Sequence, residues 1–224
     1  FNTANANTLA QMFLGCAVFN QSLASFNTAN VLSLSQFLNG AASFNQSLAH
    51  FDTTKVTDYY RAIRSCTAFK QSLATFVLGV GITNMSAMLE GSDINATGTT
   101  TNYDATLIAW AAQNPPNSLN FHGGSCRYGE GLVDNGTTDG VAANKLIQSG
   151  QNFLTTVTVG DVVYNTTDGT YAFVTGIDSD TQLSISADIM ASGEVYRIQH
   201  SDAAKARAKL ILTDLWTITD GGYL

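Results

Sequence analysis

Apolar and polar positions along the first hundred residues repeat with a period of 25. The segment FNTANANTLAQMFLGCAVFNQSLAS begins at Phe1, FNTANVLSLSQFLNGAASFNQSLAH at Phe26, and FDTTKVTDYYRAIRSCTAFKQSLAT at Phe51. A degenerate fourth copy begins at Phe76 and carries one extra residue before Ile82. Phe19, Phe44 and Phe69 share a column, as do Leu23, Leu48 and Leu73, and Gln21-Ser22 recurs as Gln46-Ser47 and Gln71-Ser72. A unit this short cannot bury its apolar face alone, whereas stacked units can, each Phe or Leu resting on its equivalent one coil away. The pattern predicts a short strand near residues 24–28 and a short helix near residues 33–39 in each coil.

Beyond the repeats the pattern changes. Residues 102–113 read as a helix, N-capped by Thr101 or Asn102, with Asp104 in its first turn and Leu107, Ile108 and Trp110 on its apolar face. Pro115-Pro116 stops it. A last helix is expected over residues 202–213 with Ser201 as N-cap, followed by a strand holding Trp216 and Ile218. Between them, residues 134–140 read as a loop and residues 141–148 as a short helix ended by Gly150. Five short strands then follow, at Val157, Val162-Val163-Tyr164, Tyr171 to Ile177, Leu183 to Ser186 and Glu194 to Ile198. Asp168-Gly169, Asp178-Ser179-Asp180 and Ser192-Gly193 supply the turns.

The run Phe44-Asn45-Gln46-Ser47-Leu48-Ala49-His50-Phe51-Asp52-Thr53, followed by Val56-Thr57-Asp58, resembles the BspA-type leucine-rich-repeat surface proteins. Ile82-Thr83-Asn84-Met85-Ser86-Ala87-Met88-Leu89 is similar to that family's helix segment. Asn102 to Trp110, Phe121-His122-Gly123-Gly124 and Trp216 to Gly222 are similar to its closing segment. The family usually has Trp where this chain has Phe26 and Phe51. The resemblance covers residues 1 to about 128 and about 201 to 224. It implies extracellular display and adhesion, with no catalytic residues to carry over. The stretch from Gly160 to Ile198 also resembles a small β domain of tailed-phage structural proteins, which implies a virion.

The expected fold class is therefore an α/β repeat: a leucine-rich-repeat-like solenoid of about four 25-residue coils with a C-terminal cap, plus an inserted small all-β, barrel-like domain. The expected division is residues 1–100 for the coils, 101–128 for the first part of the cap, 129–200 for the insertion and 201–224 for the rest of the cap.

Composition narrows the function. Hydrophobic residues are 45% of the chain, enough for a buried core, and charged residues are only 12%. The net charge of −7 argues against nucleic acid and against an anionic membrane surface. No apolar run has the length of a membrane span. The absence of a signal peptide and the start at Phe1 point to a processed or C-terminal piece of something longer. Cys16 and Cys66 share a column two coils apart, roughly 10 Å at strand spacing. That is too far for a disulfide, so both are expected as small core residues, with Cys126 also free.

No catalytic constellation emerges. His50, His122 and His200 are scattered, no serine sits in a G-x-S-x-G elbow, and no cofactor or metal is expected. Residues 134–140 have too few carboxylates for an EF-hand calcium loop. Asn20 and Asn45 are expected to bond the backbone of the next coil. Residues 1 to 49 contain no Asp, Glu, Lys or Arg, a surface of amides and hydroxyls suited to glycan or protein contact or to packing between subunits. The residues flanking the strand Phe, namely Ser25, Asn27, His50 and Asp52, are the candidate binding positions. The expected function is a non-enzymatic recognition or adhesion module exposed on a phage virion or bacterial surface. Its partners would be a host-surface glycan or protein, or neighbouring virion subunits. The alternative is a purely structural virion protein. Either would work within a homo-oligomer or larger assembly.

Overall fold

A computed structural model describes residues 2–224. In chain order the regular elements are α1 (Thr101–Ala112), β1 (Asn120–His122), β2 (Leu132–Thr137), β3 (Lys145–Ile147), α2 (Phe153–Thr156), β4 (Val162–Asn165), β5 (Thr170–Ser179), β6 (Gln182–Ile185), β7 (Val195–Gln199), α3 (Asp202–Leu212) and β8 (Thr217–Thr219). The chain forms two compact units, one of Phe1–Gly129 with Thr213–Leu224, the other of Glu130–Leu212.

In the first unit the repeats stack as parallel coils, joined at the single-residue bridges Thr8↔Ser33, Ser33↔Asp58 and Asp58↔Asn84. The last step spans 26 residues, the mark of the extra residue in the fourth copy. Gly79 lies beside that insertion, where a Cβ would stand 2.7 Å from the Thr54 carbonyl oxygen.

The expected α/β, leucine-rich-repeat-like solenoid is not what forms. Helix is only 12% of the chain, and the largest regular element is a curled antiparallel sheet of six strands. Among the described residues the four copies themselves contain neither helix nor extended strand. Two features of the backbone explain this. One residue in each would-be helix holds a left-handed conformation: Gln11 at φ 59°, Gln36 at 55°, Arg61 at 53° and Ala87 at 55°. An α-helix of L-residues does not tolerate that geometry. Amide donors also alternate in direction. Met12 and Leu14 donate back within their coil, to Leu9 and Gln11, while Gln11, Phe13 and Gly15 donate forward to Ser35, Phe37 and Asn39 of the next. A helix would use every amide internally; here half belong to the stack. The expected strand at residues 24–28 is instead a turn, with the Phe26 amide on the Leu23 carbonyl.

The core of the stack is columnar. Phe19, Phe44 and Phe69 lie in near-parallel array, with centroids 5.7 and 6.0 Å apart. Beside it runs a column of buried threonines, each accepting the amide 24 residues ahead: Thr3 from Asn27, Thr28 from Asp52 and Thr53 from Val77. Helix α1 closes the far end. Its Thr106 hydroxyl accepts the Leu73 amide, Trp110 Nε1 donates to the Leu73 carbonyl, and the Gln113 amide group spans Phe76 and Leu78. The helix begins after Thr100, while Asn102 turns its amide to the Lys70 and Ile94 carbonyls. Strands β1 and β8 then pair in parallel, Phe121 opposite Ile218.

The second unit is an antiparallel sheet in the order β2-β7-β4-β5-β6-β3. Its core gathers Leu146, Phe153, Val163, Val174, Leu183, Tyr196 and Ile198. Three local expectations fail here. Residues 134–140 are not a loop: β2 runs to Thr137 and pairs with β7. Residues 141–148 are not a helix, because Lys145–Ile147 is edge strand β3 on β6. Val157 is the extended residue after α2 rather than part of a strand. In both of the first two cases, pairing available only in three dimensions overrides local sequence preference. Helix α3, rich in buried alanines, packs on β4 and β5 within this unit.

All three cysteines are free. Cys66 and Cys126 are buried, and burial pushes each thiol up to about 12. Cys16, expected in the core, is exposed.

Candidate functional site

Ser25, Asn27, His50 and Asp52 all lie exposed on adjacent coils of the first unit. Asn27 and Asp52 occupy one column, and each folds its side chain back onto its own turn. Asn27 Oδ1 accepts the Ala29 amide at 3.1 Å, and Asp52 Oδ1 accepts the Thr54 amide at 3.0 Å and the Thr54 hydroxyl at 2.6 Å. Asn2, one coil earlier, makes the same turn with the Ala4 amide. The hydroxyl and then the amide of Thr54 hold the Asp52 carboxyl below the usual carboxylate range. His50 reaches to the preceding coil, Nε2 lying 2.8 Å from the Leu23 carbonyl oxygen, and its ring meets Phe51 edge-on. The four positions lie on neighbouring coils, with Asn27 and Asp52 held by their own turns and His50 by the coil before it.

A second strip runs beside it. Asn20 Oδ1 accepts the Asn45 amide at 2.9 Å, and Asn45 Oδ1 accepts the Lys70 amide at 2.8 Å, as expected of both asparagines. Gln46 and Gln71 each add a side-chain amide to the same oxygens. Sequence reasoning found these asparagines but missed the threonine column beneath the strip. The signal was present, since Thr3, Thr28 and Thr53 recur at a constant step.

The third coil ends the charge-free surface. Arg64 pairs with Glu90 at 3.0 Å, and that bond keeps the Glu90 carboxyl low.

In the second unit, a cavity of about 450 Å³ is lined by Asp168, Asp188 and Glu194 among others. The Glu194 carboxylate raises the Asp168 carboxyl above its usual range. Buried Asn165 donates to the carboxylates of Asp168 and Glu194. Elsewhere Asp161, fully buried, meets His200 at 2.7 Å and Lys205 at 3.2 Å. Thr158 lies 3.3 Å from the same imidazole nitrogen, Nδ1, that faces Asp161. A nucleophile–base relay needs the two ring nitrogens on opposite partners, so this cluster acts as an internal ion pair. Asp134 and Asp139, in the run weighed for calcium, are bonded to Thr156 and Ser149. Among the described residues no group of three or more His, Cys, Asp or Glu is placed to hold a metal ion.

Residues 1–103 match the family described as "Mycoplasma protein of unknown function, DUF285". That match is compatible with BspA-type repeat proteins and fits a surface protein. No curated protein and no solved structure matches the chain. Among the described residues no helix is long and apolar enough to cross a membrane.

Proposed function

We propose that this chain is a non-enzymatic recognition or adhesion module displayed on a phage virion or a bacterial surface, contacting a host-surface glycan or protein through the strip that holds Ser25, Asn27, His50 and Asp52. The observation that carries the reading is the fixed Asx-turn column of Asn2, Asn27 and Asp52. Polar groups already held by their own backbone lose little conformational freedom on binding, which lowers the entropic cost of recognition. The neighbouring amide strip adds regularly spaced donors suited to sugar hydroxyls or peptide carbonyls. The resemblance of the second unit to a small β domain of tailed-phage proteins supports a virion as the home.

The alternative is a structural virion component that packs against neighbouring subunits. The charge-free run of residues 1 to 49 favours it, because a face of amides and hydroxyls packs against a subunit without burying charge. One experiment separates the two. The whole chain is tested on a glycan array and on intact host cells beside the Asn27→Ala/Asp52→Ala variant. Recognition predicts saturable binding that the variant loses. Folded protein that binds nothing, yet co-purifies stoichiometrically with particles, overturns it in favour of assembly.

A further inference from the structure

The third copy departs from its neighbours at two positions of one turn segment. Gln36 and Asn39 of the second copy are replaced by Arg61 and Arg64, and the fourth copy has Ala87 and Glu90. Backbone bonds set these segments in register. Arg61 donates its amide to the Ser86 carbonyl, Ser65 to the Glu90 carbonyl, and Leu89 to the His122 carbonyl. Arg61, Arg64, Glu90 and His122 thereby come together on successive coils.

Their hydrogen bonding is lopsided. Arg64 already takes both oxygens of Glu90, at 3.0 and 3.3 Å. That bond holds the Glu90 carboxyl below its usual range, and His122 and Arg61 lie close enough to add to the effect. Gly124 donates its amide to His122 Nδ1 at 3.0 Å, so the ring proton sits on Nε2, which is a donor. Arg61 enters no ion pair among the described residues, and its Nε is buried with no hydrogen-bond partner among them. Its guanidinium carbon lies 4.7 Å from the centroid of the Tyr60 ring. Stacking uses the face of that planar group and leaves its N–H edge for an acceptor. The cluster thus holds three groups that donate and one acceptor, which Arg64 already occupies.

We propose that Arg61, with His122 and Arg64 beside it, is a binding site for the carboxylate of an acidic saccharide. A carboxylate matches the edge of the guanidinium and supplies the acceptor that the cluster lacks. The preceding coil favours a sugar as its bearer. Gln36 Oε1 accepts from Asn39 Nδ2, which leaves the uncharged Gln36 Nε2 donor for a sugar hydroxyl. An acidic peptide would bring repeated negative charge to Glu90 and to a chain of net charge −7, whereas a single carboxylate on a neutral sugar does not. These positions belong to other columns of the repeat than Ser25, Asn27, His50 and Asp52, so the two sites stand or fall separately.

The test titrates the whole chain by calorimetry with sialyllactose, with lactose and with a short polyglutamate peptide, and repeats it on Arg61→Gln and Arg61→Lys. Arg61→Gln installs the residue found one coil earlier in the same backbone conformation, Gln36 at φ 55° against Arg61 at 53°, so the backbone tolerates it. The expected result is saturable binding of sialyllactose and none of lactose. Arg61→Gln should weaken that binding by about tenfold or more, and Arg61→Lys by less, since it keeps the charge without the fork. A chain that does not bind sialyllactose overturns the proposal, as does equal binding of lactose, equal affinity in Arg61→Gln, or tighter binding of polyglutamate. The lactose comparison needs no variant, so it decides even if Arg61→Gln melts early.

Discussion

The hydroxyl of Thr28 accepts the backbone amide of Asp52 at 2.8 Å, tying together residues 24 positions apart. Thr28 is buried, so no water replaces the hydroxyl once it is gone. Thr28→Val keeps the shape and removes the acceptor. Leaving the amide unmatched should cost about 1–3 kcal/mol. Urea denaturation of the whole chain should show a lower midpoint at an unchanged slope. Thr28→Ser, which keeps the oxygen, should lie close to the parent. If valine and serine behave alike, the column owes its role to packing.

The left-handed residue at the start of each turn segment makes a second prediction. Gln36 sits at φ 55° while its amide donates to the Tyr60 carbonyl at 2.7 Å. A β-branched residue is a true outlier in that region. Gln36→Val should therefore destabilise the chain by about 1–2 kcal/mol or more. Gln36→Gly should be neutral or mildly stabilising, because glycine takes this conformation freely. A chain in which valine is tolerated as well as glycine would not hold this backbone geometry.

What could be read from the sequence divides along the same line. The period, the phenylalanine column and the bonding of Asn20 and Asn45 were legible, because repetition alone reveals which residues meet one coil away. The conformation within each coil was not. Ser33 to Asn39 has the apolar spacing of a helix, and nothing in it announces that Gln36 turns left-handed or that alternate amides serve the next coil. That choice is made by the stack, where forward amide bonds compensate the backbone strain. Lys145 to Ile147 failed for a related reason: β6 offers pairing that no local pattern shows. Of the candidate strip, exposure was legible at all four positions. The Asx turns at Asn27 and Asp52 were not, though the residue type favours them.

Acid should act on the second unit through Asp178. Its carboxylate accepts from Lys145 Nζ at 2.7 Å and from Gln182 Nε2 at 2.9 Å, and the Lys145 bond first, then Gln182, lower it from 3.8 to about 2. A depressed carboxyl stabilises the fold above its unfolded value and loses that contribution as pH falls through the folded one. The window runs from about pH 4 down to about pH 2. The pair is partly solvated, so the effect is modest. Melting temperatures of the whole chain should fall more steeply across that window than those of Asp178→Asn, and the two curves should converge below it. Parallel curves would show that the pair contributes nothing.

The three thiols should separate by reactivity. Cys16 is exposed, while Cys66 and Cys126 are buried and pushed up to about 12 by that burial. Only a thiolate attacks, so the buried pair is disfavoured twice, by access and by protonation. Iodoacetamide on the native chain near neutral pH, read by mass spectrometry of peptides, should modify Cys16 alone. All three should react once urea unfolds the coils. Because Cys66 lies in the third copy and Cys126 beyond the fourth, the urea concentration at which each becomes reactive also reports whether the stack opens as one unit. Simultaneous exposure is expected, since columns of side chains and amide bonds run through every step between them. Labelling of Cys66 under native conditions would mean that the coils open locally, and that their stacking is weaker than the ring and threonine columns imply.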